Sequence, residues 1–402
     1  MPTNSCKIII IGAGVSGITT GIVLQLLGYQ THIITRDRPD QPRNPSDPAF
    51  ASLYPSASII PHSVYGDDVL RYFRDSLQVF ECLYNQHFQG LSINKHYEVF
   101  EYEKPTPEYA PLMINFRRID NCWKSEKDVP SLPSTQELFG WSFNCYFADW
   151  PIYMPQLFTW YEELGGSITL QELCPRDLDH LSSPFVNCSG LSGRTLFGDT
   201  NSNAVLKGHL VRVETNDLRL CTNSKISYNY NPKPPIYADA AGNAQDLYCY
   251  PREDGLILGG SRLEGTVSGE GKWDGVSIGS ESVNIDGHEI PAPIIDINRE
   301  ILAHSYGINL SKFRKRTAYT GYRYIRKKSK GLRLEKGSTS GRLRIHNYGH
   351  GGAGVTLSWG CAMQVARLLI EEVPPNKESL GGQSILDLLR TKVKMQRLTK
   401  GT

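Results

Sequence analysis

The chain has 402 residues, 40% of them hydrophobic and 21% charged, and a formal net charge of +2. This length supports a large core and two closely joined domains, and the composition is ordinary for a soluble globular protein. So small a net charge gives no electrostatic case for nucleic acid, and no stretch reads as apolar and long enough to span a bilayer.

In chain order, residues 7–11 predict a buried strand, followed by a glycine loop, a helix over 15–27 that ends at Gly28, and a second strand over 30–35. Residues 37–56 are rich in Pro, Asp, Arg and Ser and predict a long loop. Leu70, Phe73, Leu77, Phe80 and Leu83 recur at helical spacing over 69–83. Residues 90–150 are aromatic and strand-like, 154–165 read as a helix, and 184–188 as a short buried strand ending at Ser189-Gly190. Strand patterns recur from 205 to 262, with a Pro- and Asn-rich interruption at 228–235 and a tight end at Gly259-Gly260. Residues 265–285 predict a surface loop, 298–307 a helix, and 354–373 the last strong helix. The charged tail after Pro374 predicts mobility. No internal repeat is visible.

Nine cysteines, an odd number without regular spacing, predict reduced thiols in an intracellular compartment. Cys188 and Cys361 sit in apolar or glycine-rich surroundings and read as packing residues. No CxxC pair suggests zinc, and no metal is expected. The first seven residues do not read as a signal peptide.

Gly12-Ala13-Gly14-Val15-Ser16-Gly17 lies between a strand and a helix. In this setting the first glycine permits a tight turn, the second lets the backbone approach a pyrophosphate, and the third lets helix and strand pack closely. At the end of the second strand, Asp37 can accept from a ribose hydroxyl, while Arg36 can stack on adenine or face a phosphate. A surface ion is the alternative for either. The fingerprint alone does not separate FAD from NAD. Asn187-Cys188-Ser189-Gly190, a strand ending in small residues, suits a second approach to the dinucleotide, as an FAD protein needs; a purely structural turn is the alternative.

With these segments the chain resembles the D-amino-acid oxidase family, FAD enzymes that include the D-aspartate oxidases. The resemblance runs from residue 7 to about 373. Its further anchors are Tyr248-Cys249-Tyr250-Pro251-Arg252, Leu258-Gly259-Gly260, Tyr319-Thr320-Gly321-Tyr322-Arg323 and, most specifically, His346-Asn347-Tyr348-Gly349-His350-Gly351-Gly352-Ala353-Gly354-Val355-Thr356. It implies an α/β (α+β) fold: a discontinuous, Rossmann-like βαβ FAD domain (1–60, 150–210 and 320–375), a substrate domain on a mixed or antiparallel sheet (61–149 and 211–319), and a tail (376–402). It also implies oxidative deamination of a D-amino acid to a 2-oxo acid, ammonia and hydrogen peroxide. In that reaction the Cα hydrogen leaves as hydride toward flavin N5, and O2 is the second substrate.

The resemblance also implies site roles. Arg323 matches the arginine that pairs with the α-carboxylate, which suits a forked guanidinium. Tyr248 matches the tyrosine whose hydroxyl meets the same carboxylate, and Tyr250 shares its face two residues on. Gly352 matches the backbone carbonyl that accepts from the substrate amine. Gly354, Val355 and Thr356 open the last helix, whose N-terminus favours negative charge at the flavin, and Gly351 is a further cofactor-binding position. Ile60-Pro61-His62 and Arg262 resemble D-aspartate oxidases and favour an acidic substrate; Gly351-Gly352-Ala353 is closer to the neutral-substrate pattern. The expected activity is therefore that of a D-aspartate oxidase, with a D-amino-acid oxidase of neutral or broad scope as the alternative. A non-catalytic dinucleotide-binding protein and a dehydrogenase that avoids O2 are readings of a different class. A lid is expected near 236–247. Family resemblance points to the peroxisome, but the last three residues, Lys400-Gly401-Thr402, are not the usual tripeptide, so the cytoplasm stays open. Oligomeric state stays open too.

Overall fold

The computed structural model describes residues 7–54, 57–120, 128–199, 204–215, 227–268, 271–375 and 384–391. Most of the tail expected to be mobile lies outside them. Four consecutive isoleucines, Ile8 to Ile11, form a strand buried on both faces, as a central parallel strand requires. This Lys7–Ile11 strand lies between Gln30–Thr35 and Phe185–Asn187 in a six-stranded sheet, with Ser167–Leu170 at one edge and the Arg342–Tyr348 and Arg333–Thr339 strands at the other. All its pairings are parallel except that last hairpin. The opening βαβ unit and the strand before Cys188 therefore stand where the sequence predicts them.

A second sheet has eleven strands and is mixed: Tyr228–Asn231 runs parallel to Leu91–Phe100, and its other pairings are antiparallel. The Ala204–Val213 and Arg316–Ile325 strands, which straddle the expected boundaries at 210 and 320, both lie in this sheet. The Ala292–Tyr306 helix covers one face, packing Ile294, Ile301 and Leu302 against Leu247, Cys249, Leu256 and Leu258. By strand alternation Tyr248, Tyr250 and Ile257 project from the opposite face.

Several predicted boundaries shift for identifiable reasons. The helix expected at 154–165 spans Trp150–Glu163, because Pro151 occupies the first turn, where no amide is needed. The helix expected from 298 starts at Ala292 for the same reason, with Pro293 in its first turn, and ends at left-handed Gly307. Residues 228–231, read as an interruption, form a buried strand. The surface loop expected over 265–285 contains the Leu263–Val267, Trp273–Gly275 and Ser282–Ile285 strands. Gly265 and Gly275 mark a close approach rather than a turn: a Cβ on Gly265 would lie 2.6 Å from the Gly275 Cα.

The Gly354–Glu372 helix is the hub that joins these layers. It packs on the Val15–Leu26 helix, where Thr19 Oγ1 donates to the Ser358 carbonyl (3.2 Å), and on the Val69–Asn85 helix, where the Gly360 amide donates to Ser76 Oγ (2.8 Å). Contrary to the reading above, residues 351–372 are long and apolar enough to cross a bilayer, with a window of mean hydropathy 1.3; 72% of that window is buried inside the fold, as in a core helix. Among the described residues no group of His, Cys, Asp and Glu could hold a metal ion. Cys188 and Cys361 are buried and unpaired with each other or any other cysteine.

A Cβ on Gly360 would lie 1.9 Å from the Tyr72 carbonyl oxygen. Alanine normally stabilises a helix interior by about 1 kcal/mol over glycine. Here Gly360→Ala is expected to cost about 2 kcal/mol, because backbone must move. Denaturant unfolding checks the sign: a stabilised variant would contradict this packing.

Candidate active site

The fingerprint loop sits where two parallel strands end. Gly12 has φ +99°, and a Cβ there would lie 2.7 Å from the Cys188 carbonyl oxygen. A Cβ on Gly17 would lie 1.9 Å from the Gly12 carbonyl oxygen, so the third glycine serves contact between helix and loop. In front of them lies a cavity of about 260 Å³. It is lined by Gly12, Ala13, Gly14, Val15, Ser16, Arg36, Asp37, Cys188, Ser189, Gly190, Gly351 and Gly354. The start of the Val15–Leu26 helix faces it, an arrangement that favours phosphate.

Side chains the sequence did not single out complete this wall. Ser52 Oγ accepts from the Val15 amide (3.1 Å), and Thr35 Oγ1 from the Ala13 amide (3.2 Å). Asp37 accepts from the amides of Arg38 and Arg43 (2.9 and 3.2 Å), and Arg36 pairs with Asp47. Asn187 Oδ1 fixes Ser189, accepting from its amide and its hydroxyl. FAD, expected from the sequence, fits this cradle: Gly12, Ala13, Gly14, Ser189 and Gly190 give it a wall of small residues, and a helix N-terminus faces it.

A second cavity, of about 190 Å³, shares Val15, Ala51, Ser52, Tyr322, Gly351 and Gly354 with the first. Tyr248, Arg323 and Gly352 line it together, as do Val355 and Thr356. Arg323 crosses Gly208, where a Cβ would lie 2.4 Å from Nη1, and Nη1 donates to the Ser261 carbonyl (2.9 Å). Among the described residues no carboxylate forms an ion pair with it. The Tyr248 ring lies over Gly259, where a Cβ would lie 2.2 Å from Cζ, and stacks on Tyr250 at 4.8 Å. Burial pushes the Tyr248 hydroxyl up from its ordinary pKa, partly offset by Arg323, so it stays a neutral donor. The Gly352 amide donates to the Ser63 carbonyl (3.1 Å), and Thr356 Oγ1 to that of Ile60 (3.0 Å), which brace the glycine turn against residues 60–63. Tyr54 and Leu210 also line this cavity and carry no motif that would have marked them.

His62, Arg262 and Tyr250 line neither cavity. Each is held by another side chain of the protein. His62 Nε2 meets Glu98 Oε1, Arg262 Nη2 donates to Asp246 Oδ2 (2.6 Å), and the Tyr250 hydroxyl donates to Asn229 Oδ1 (2.5 Å). Glu98 is the centre of this layer and also accepts from Asn229 Nδ2 (2.8 Å), Tyr109 (2.9 Å) and Trp141 (3.2 Å). The sequence marks it weakly, because the same strand also carries Ser92, Asn94, Lys95 and His96. The stretch expected to form a lid is pinned to the sheet: Tyr237 donates to the Gly260 carbonyl (2.7 Å), and the Arg262 amide donates to Gln245 Oε1 (2.7 Å).

Burial alone would raise the Glu98 pKa; the His62 ring, its hydrogen bond and His96 bring it well below its ordinary 4.5. A carboxylate depressed in the folded state adds stability that is complete above its unfolded pKa and is lost as pH falls through its folded one. Glu98→Gln is thus expected to cost about 3 kcal/mol at neutral pH and to flatten the loss of stability below pH 4.5. Denaturant midpoints measured against pH check this; parallel acid limbs for both proteins would contradict it.

The chain has relatives that match this arrangement. The profile of the family described as FAD dependent oxidoreductase matches residues 7–368. A D-amino-acid oxidase of Rubrobacter xylanophilus is 27% identical over 365 residues, spanning 90% of this chain and 95% of the relative. A D-aspartate oxidase of Homo sapiens is 24% identical over 390 residues, spanning 92% of this chain and 96% of the relative. Among solved structures, iminodiacetate oxidase from Chelativorans superimposes with a TM-score of 0.60 at 15% identity, covering 92% of this chain and 96% of that one. Glycine oxidase from Bacillus cereus superimposes with a TM-score of 0.56 at 13% identity, covering 92% and 96%. The structures speak to fold, and the profile spans nearly the whole chain: this protein belongs to the FAD-dependent oxidoreductase family of the D-amino-acid oxidases, and FAD is its cofactor.

Proposed function

We propose that this protein oxidises D-amino acids: D-amino acid, O2 and water give 2-oxo acid, ammonia and hydrogen peroxide. The observation that carries the reading is the convergence of Tyr248, Arg323 and Gly352 on one cavity that shares a wall with the dinucleotide cradle. Arg323 and Tyr248 fix the α-carboxylate by charge-assisted and neutral hydrogen bonds. The backbone at Gly352 receives the amine. The chemistry FAD supplies when bound is acceptance of two electrons from the substrate and their delivery to O2. The described lining holds no Asp, Glu, His, Lys or Cys. That suits a reaction in which the Cα hydrogen departs with its electron pair and positioning, rather than a side-chain base, supplies the rate. Preference for the D enantiomer rests on the named relatives.

For the side chain, the geometry favours neutral substrates, because Glu98 and Asp246 already engage His62 and Arg262. The acidic reading is the second one, favoured by the presence of those two residue types and by the human relative's name.

A peroxide assay with D-Ala, D-Met, D-Asp and D-Glu tests both. D-Ala or D-Met is expected to be turned over best; D-Asp as the best substrate would reverse the side-chain reading, and no peroxide with any of them would sink the activity. Arg323→Ala is expected to lower kcat/KM by at least about a hundredfold, and Tyr248→Phe by about tenfold, with flavin content unchanged. Equal kinetics in Arg323→Ala and the unsubstituted protein would remove Arg323 from the site.

A further inference from the structure

We infer that Asp246 is a specificity-determining residue: by holding the Arg262 guanidinium it withholds a second positive charge from the substrate's side chain. The inference rests on the reading of this cavity as an amino-acid site.

Tyr248 pairs with Gly259 across two antiparallel strands. The two chains stay in contact beyond that pair, since a Cβ on Gly260 would lie 2.1 Å from the Asp246 carbonyl oxygen. Side chains alternate along the strand, and Leu247 and Cys249 point into the core under the Ala292–Tyr306 helix. Tyr248 and Tyr250 therefore share the opposite face, and Asp246 immediately precedes their strand. Asp246 lies one alternation step from Tyr248, about 7 Å along the strand. Just past the end of the partner strand Gly255–Gly259, Ser261 gives its carbonyl to Arg323, and Arg262 follows directly. The Ser261–Arg262 step thus holds one arginine, Arg323, through its carbonyl and carries the other, which pairs with Asp246. The pair is joined to the site through the chain: Asp246 precedes Tyr248 by two residues, and Arg262 follows the Ser261 whose carbonyl holds Arg323.

The pair is asymmetric. The Asp246 side chain is 9% exposed and the Arg262 side chain 41%. The carboxylate is thus the fixed partner, and the guanidinium is the one with room to move. A substrate carrying a second carboxylate meets an arginine already neutralised at 2.6 Å. It must either displace Asp246, leaving that buried carboxylate unpaired, or join it and place two negative charges on one positive one; both outcomes oppose binding. A neutral side chain pays neither cost. Asparagine at 246 keeps the shape and removes the charge, so that Arg262 lacks a counter-ion which a dicarboxylate substrate then supplies.

Asp246→Asn holoenzyme, with Asp246→Ser as a second variant, is compared with the unsubstituted protein on D-Asp and D-Ala. The ratio of kcat/KM for D-Asp over D-Ala is expected to rise at least tenfold, chiefly through a lower KM for D-Asp. Asp246→Asn/Arg262→Gln is expected to lose that gain. Calorimetric binding of malonate and acetate reads the same charge selection without turnover, and the malonate preference is expected to rise in parallel. An unchanged ratio and an unchanged malonate preference in both variants overturn the inference, as does a gain that survives in the double variant. Absence of peroxide from the unsubstituted protein with every D-amino acid would instead overturn the oxidase reading, leaving the malonate comparison to decide the role of Asp246.

Discussion

Where the Lys7–Ile11 and Phe185–Asn187 strands end, the backbone of Gly12 lies against the Cys188 carbonyl, and Gly17 closes on Gly12 from the first turn of the helix. No side chain fits at this crossing. The contact sets the floor of the dinucleotide cradle and aims the helix N-terminus across it. It also fixes the position of Val15, which belongs to the walls of both cavities. The relation between the two cavities thus follows from a single steric constraint at the strand ends.

The opposite wall is built by long-range bracing. The turn at Gly351–Gly352 stays in place because Ser63 and Ile60 offer carbonyls to Gly352 and Thr356, and that segment is tied by His62 to buried Glu98. Glycines do similar work beneath the ligand-facing side chains: Gly208 lets Arg323 lie flat across one strand, and Gly259 lets Tyr248 do so across another. The Tyr248 and Arg323 side chains that line the second cavity stand on strands, while His62 and Arg262 are engaged by carboxylates of the protein.

How much of this was legible in the sequence follows from the range of each interaction. The opening βαβ unit was visible because its strand, turn and helix signals are local. The last helix was visible through its length and apolar pattern, although its burial was needed to distinguish it from a membrane span. Tyr248 and Arg323 could be matched to roles only through a family motif, since a tyrosine or an arginine in a strand carries no chemistry by itself. Glu98, Ser261 and Asp246 went unmarked because their meaning comes from partners far along the chain: Glu98 lies 36 residues from His62, and Ser261 lies 62 from Arg323. His62 and Arg262 show the converse. The residue types suit an acidic ligand, and the fold gives them carboxylates of its own.

The central claim is that the cavity behind Gly352 holds a D-amino acid by its carboxylate so that the Cα hydrogen meets the cofactor. The most direct measurement mixes the holoenzyme anaerobically with D-alanine, with D-alanine deuterated at Cα, and with L-alanine, and follows the flavin's visible absorbance. The account predicts rapid bleaching with D-alanine, slower bleaching with the deuterated substrate, one pyruvate formed per flavin bleached, and no change with L-alanine. Bleaching by both enantiomers at equal rates, or none with D-alanine at saturating concentration, would contradict it.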